Sequence, residues 1–141
     1  MSNTATVTGR LLESDDQRIV LAIPKGDYQL HLVPVGEVKS DPMGQIRGII
    51  RAQARRVDVI AGGGCYIEPI FGRPRRVQGR IIGGDVQDNS ITVAAATPLI
   101  ATLMPPQKTA NFTIGQMVSF DIERGATFVP QVHGRSPEAA S

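Results

Sequence analysis

Aromatic side chains make up only 4% of this 141-residue chain, and tryptophan is missing altogether. Stacking platforms for bases are built from such rings, so few can be assembled here. Cysteine occurs once, as Cys65, which rules out an internal disulfide and makes the cytoplasm the simplest expected compartment. Two histidines, His31 and His133, and the lack of any HxH, CxxC or HExxH pattern leave a zinc site without ligands. Neither a metal nor a cofactor is expected.

Catalytic signatures are equally sparse. No GxSxG elbow is present. "AGGGC" lacks the Lys-Ser/Thr ending of a phosphate loop and reads as a hairpin turn between "VDVI" and "CYIEP". Cys65 then reads as a small apolar residue opening a strand, not as a nucleophile. The acids Asp15 with Asp16, and Asp85 with Asp88, sit in turn-like stretches, where carboxylates ordinarily accept bonds from local backbone N–H groups. No catalytic residue is assigned, and a non-enzymatic protein is expected.

Targeting and membrane segments are not expected either. "MSNTATVTGR" has no basic region followed by an apolar run, so no signal peptide is read there. Residues 89–107 carry no charge, yet Pro98, Pro105, Pro106 and a strand-like alternation argue against a membrane span.

What the chain does have is 41% hydrophobic residues, enough for a core, arranged in short strand-like runs. "ATVTGRLLES", "RIVLAIP", "YQLHLVPV", "VDVIA", "CYIEPI", "RVQGRIIG", "SITVAAA", "LIATLMP" and "MVSFDIE" are separated by Gly, Pro, Asn or Asp. Tyr28, Leu30 and Leu32 share one face of their run, and Gln29 and His31 the other. The fold class is therefore all-β, as barrel or sandwich, with one short helix.

That helix is expected at about 42–56. Asp41 would cap it and Pro42 suits its first position. Met43, Ile46, Ile50, Ala54 and Val57 would form an apolar stripe, with Arg47, Arg51 and Arg55 lined up beside it.

The chain also reads as an internal repeat. "VTGRLL" from Val7 matches "VQGRII" from Val77, and "YQLHLVP" ending at Pro34 matches "LIATLMP" ending at Pro105. "MGQI" from Met43 matches "IGQM" from Ile114, and "VDVIAGGGCYIEP" matches "VSFDIERGATFVP". This register assigns ten extra residues, Arg47 to Arg56, to the first copy alone. The expectation is two tandem small OB-like β-barrels, residues 5–71 and 75–131, with a helix only in the first and a mobile tail at 132–141. One larger barrel or sandwich whose copies exchange strands is the alternative.

Charge is the remaining signal. Between Gly44 and Arg80, eight arginines face only Asp58 and Glu68, a net of +6, whereas the rest of the chain sums to −4. Arginine's planar fork suits phosphates and carboxylates. Arg47, Arg51, Arg55, Arg56, Arg73, Arg75 and Arg76 are the candidate contacts for an anionic partner. That partner could be an acidic protein face or anionic lipid headgroups, with self-association into a homo-oligomer also expected. The competing expectation is a solvated helix face and basic linker whose arginines pair with acids of the second copy or of a neighbouring subunit. The alternative is an OB-like protein contacting nucleic-acid backbone without sequence preference.

Overall fold

The computed structural model describes residues 5–24 and 26–131; the expected tail at 132–141, with His133, lies outside the described residues. The protein is all-β. Eleven strands form one mixed sheet: β1 (Thr6–Ser14), β2 (Ile19–Ala22), β3 (Gln29–Pro34), β4 (Gln45–Ile60), β5 (Tyr66–Glu68), β6 (Phe71–Gly72), β7 (Arg76–Asp85), β8 (Ser90–Ala94), β9 (Pro98–Thr102), β10 (Met117–Ile122) and β11 (Thr127–Pro130). The uncharged stretch at 89–107 contains β8 and β9, an antiparallel pair. Among the described residues, no helix is long and apolar enough to cross a membrane.

The helix expected at 42–56, in the first half only, does not form. Among the described residues the one helical element is a 3-10 turn in the second half, Thr109–Asn111. The segment instead runs as β4, sixteen residues long. The physical reason is an ambiguity of period: a spacing of four is close to one helical turn and is also twice the strand repeat. Ile46, Gly48, Ile50, Ala52 and Ala54 all point inward, and Gln45, Arg47, Ile49, Arg51, Gln53 and Arg55 alternate with them. Asp41 does accept backbone N–H bonds, from Met43 and Gln45 at 2.8 Å each, but in a turn that delivers the chain into β4. Gly44 completes that turn with φ of 87°.

A second reason is that β4 has partners on both edges. It pairs antiparallel with β1 through residues 45–49, with β11 through 48–51 and with β10 through 54–60, and parallel with β9 through 51–53. Each pairing satisfies backbone groups that a helix would have satisfied internally, while placing alternate side chains in the core. At Arg55 and Arg56 two residues oppose the single Asp121 of β10, a bulge that returns Val57 to the inward face. The Gln107 side chain extends the ladder there: its Oε1 accepts the Val57 N–H and its Nε2 donates to the Val57 carbonyl, both at 2.8 Å.

Two circuits of pairing share β4. One runs β4–β1–β2–β3–β11 and back to β4; the other runs β4–β10–β7–β8–β9 and back to β4. One core draws on both, with Leu21, Leu30, Ile50 and Phe128 from the first and Val77, Ile91, Leu99 and Phe120 from the second all fully buried. The three glycines at 62–64 do not turn a hairpin as expected. β4 pairs with β10, while β5 crosses over to pair with β7, and only Gly63 of the three has positive φ.

Candidate anion-binding surface

Among the seven candidate arginines, Arg47 lines one groove, Arg55 and Arg56 a second and Arg73 a third. Four are engaged by carboxylates of the same chain. Arg51 pairs with Asp88, Arg55 with Glu123 at 2.8 Å, Arg56 with Asp58 at 3.1 Å and Arg76 with Asp121 at 2.8 Å. Arg76 also donates to the Ser119 hydroxyl at 2.6 Å. The hydrogen bond to Asp121 is the main cause of a guanidinium pKa raised above its ordinary value. Three of these pairs follow from β4 and β7 meeting acids on β10 and on the turns after β7 and β10, while Arg56 and Asp58 are both on β4. Exposed pairs of this kind contribute little stability, but they do neutralise the positive face.

Arg47, Arg73 and Arg75 have no ion pair among the described residues. Arg47 lines a groove of about 380 Å³ shared with Glu37, Lys39 and Asp41, where both signs are present. Arg73 and Arg75 lie elsewhere, on the segment joining β6 to β7. That segment is held by β6 pairing with β3 and by the Gln29 N–H donating to the Ile70 carbonyl at 2.9 Å.

Sequence reasoning missed two arginines that the fold brings to this place. Arg18, from the β1–β2 turn, and Arg124, from the β10–β11 turn, border a pocket of about 280 Å³ together with Arg73, His31, Val33 and Ala126. The chain places them there because β11 inserts beside β3, so that the Val33 N–H donates to the Ala126 carbonyl at 2.9 Å. Asp15 shapes the β1–β2 turn by accepting the N–H groups of Gln17 and Arg18 at 2.8 and 2.9 Å, which hold its carboxyl below the ordinary pKa. Nothing in the isolated residues Arg18 and Arg124 signals a site, because each sits alone among turn residues far apart in sequence.

The local electrostatics are crowded. Arg124 above all, then partial desolvation and Arg75, lower the Arg73 pKa below its ordinary value. Arg18 pairs with Glu13 at 3.2 Å and also lies near the Asp15 carboxylate. His31 forms an edge-to-face contact with Phe71, with ring centroids 5.1 Å apart, and its Nε2 is buried with no hydrogen-bond partner among the described residues. Phe71 is itself 63% exposed, its neighbour Ile70 is exposed too, and so are Val33 and Val35 at and just past the far end of β3. The result is a basic pocket with Leu32, Val33 and Ala126 as its apolar lining. Cys65 is exposed and stands apart from these residues. Among the described residues no three His, Cys, Asp or Glu side chains gather as a metal site would require. The chain matches no protein-family model, no curated protein and no solved structure.

Proposed function

We propose that the protein is a non-enzymatic binding and assembly module that docks an acidic protein partner through Arg73, Arg75, Arg124 and Arg18. The observation that carries this reading is that Arg124 and Arg75 act as neighbouring charges on Arg73 and none of the three has an ion pair among the described residues, while Arg18, Arg55 and Arg76 are paired. The exposed Ile70, Phe71, Val33 and Val35 add the apolar contact area that a docking or self-association surface uses. Arg51, Arg55, Arg56 and Arg76 serve the chain's own electrostatics in this reading, and Arg47 stands apart in its mixed groove.

The module is read as a duplicated β unit whose copies exchange their last strand. Three recurrences support this. Gly9 and Gly79 both lie where a Cβ would press on the facing strand, 2.8 Å from the Ala22 carbonyl oxygen and 2.4 Å from that of Ala94. Leu12 and Ile82, each three residues further on, are both the extra residue of a bulge. β11 runs parallel to β3, as the middle of β4 runs parallel to β9. On this pairing Thr127 corresponds to Gln53, so the ten residues Arg47 to Arg56 are part of a continuous strand and not an inserted element.

The test is a titration with poly-glutamate at low and moderate salt, alongside size-exclusion with light scattering. Changing Arg73, Arg75 and Arg124 together to Gln should abolish binding while leaving the melting temperature near that of the parent. The same change at Arg51, Arg55 and Arg76 should leave most of the binding intact. Equal loss in both triple variants, or no binding by the parent at low salt, would refute the reading. Phe71 gives the nucleic-acid alternative one exposed ring beside the arginines, whereas Phe120 and Phe128 are core. Duplex DNA would then replace poly-glutamate as ligand, with a log–log salt slope of about −0.9 per phosphate contacted.

A further inference from the structure

We infer that the pocket between the β1–β2 turn, β3 and the β10–β11 turn receives a single phosphate group, held by Arg18, Arg73 and Arg124 with His31 at its wall. The inference deepens the anion-docking reading and rests on it. Three arginines line this one place from three separate segments, and among the described residues Arg73 and Arg124 have no ion pair, while Arg18 pairs with Glu13 and lies near Asp15. A carboxylate presents two oxygens in one plane, which match a single arginine fork. A phosphate presents three exposed oxygens in a tetrahedral array and up to two negative charges, so it can answer donors converging from different directions.

Size and the unsatisfied groups point the same way. At about 280 Å³ the pocket falls just short of the roughly 300–1,000 Å³ that drug-sized ligands occupy, so one small group fits, free or projecting from a larger molecule. The apolar residues Leu32, Val33 and Ala126 form part of the wall. Arg73 is held below its ordinary pKa chiefly by Arg124, a repulsion that a bound dianion would relieve. His31 Nε2 is the one buried side-chain nitrogen or oxygen without a partner among the described residues, a state that proteins seldom leave uncompensated.

Calorimetric titration of the full chain with inorganic phosphate, O-phosphoserine and acetate at matched ionic strength tests this, with the His31 ring resonances followed by NMR. Saturable one-to-one binding of phosphate or phosphoserine is expected, accompanied by shifts at His31, and acetate should bind at least about tenfold more weakly. Arg73→Gln and Arg124→Gln should each weaken binding by about tenfold or more, the worth of one charge-assisted bond. Arg55→Gln should change nothing. Binding of both phosphates would mark a free-anion site, and binding of phosphoserine alone would mark an esterified group as the ligand. Phosphate binding no better than acetate, or undiminished in the Arg73 and Arg124 variants, would overturn the inference. If phosphate fails while poly-glutamate still binds, the pocket is wrong and the docking surface stands; failure of both removes the two together.

Discussion

Replacing Gly48 with alanine distinguishes a strand from a helix at 45–60 by the sign of its effect. In the fold, a Cβ on Gly48 would lie 2.5 Å from Cζ of Phe128, 2.5 Å from the Val129 carbonyl oxygen and 2.8 Å from Cε2 of Phe128. Carbon atoms in good contact stand about 3.5–4.0 Å apart, so each neighbour would have to retreat by roughly 1 Å. Neither can do so freely. Phe128 is fully buried, and the Val129 backbone is tied into the β4–β11 ladder opposite Ile49. Overpacking of this kind costs about 1–3 kcal/mol, and two rigid obstacles place Gly48→Ala toward the upper end. The reduced freedom of the unfolded chain returns about 0.4–1 kcal/mol, leaving a net loss of about 2 kcal/mol. An unfolding entropy of about 0.3 kcal/mol/K for a chain of this length converts that to a fall in Tm of roughly 7 °C. Urea unfolding should show a lower midpoint with an unchanged slope. A helix in this segment would reverse the sign, since alanine is better than glycine there by about 1 kcal/mol. Gly62→Ala is the control, because nothing lies within 4 Å of its Cβ position and its φ is not positive. A Gly48→Ala variant as stable as the parent would refute the packing described around β4.

Other consequences follow from particular side chains. Gln107→Ala leaves both Val57 backbone groups without their side-chain partner and should cost about 1–3 kcal/mol by urea unfolding, whereas Gln107→Ala combined with loss of the poly-glutamate contact is not expected. Asn89 holds φ of 50° while its side chain donates to the Leu103 and Gln107 carbonyls and accepts the Thr109 N–H. Asn89→Gly keeps the backbone conformation and loses only the bonds, so calorimetry should find Asn89→Ala the less stable of the two by about 1 kcal/mol. The Asp15 carboxyl is held below its ordinary pKa by the Gln17 and Arg18 N–H groups, so NMR titration should find it ionised to lower pH than a free aspartate. Because that folded pKa is depressed, its stabilising effect is present above the ordinary carboxyl value. It is lost as pH falls through the lowered one.

Much of the β content was legible in local pattern. Runs such as "RIVLAIP", "RVQGRIIG" and "MVSFDIE" combine β-branched residues with turn-formers at their ends, and β2, β7 and β10 lie within them. The Val7 and Val77 motifs were equally visible, and their glycines and bulges occupy matching places in the two strands β1 and β7. The site was legible only in part. Arg73 and Arg75 stood out by density of charge, but the same criterion selected Arg51, Arg55, Arg56 and Arg76, whose partners are acids of the same chain.

The amino-acid order alone locates strands such as β2, β7 and β10, because turn chemistry and alternation act over a few residues. It could not decide between helix and strand at Arg47 to Arg56, where a four-residue spacing satisfies both periods and only four neighbouring strands break the tie. Nor could it decide which arginines come together and which are drawn to acids. Arg18, Arg73 and Arg124 meet through the insertion of β11 beside β3, while Glu123 is drawn to Arg55 and Asp88 to Arg51. Charge is carried by single residues, but its neutralisation depends on distances that only the folded chain sets.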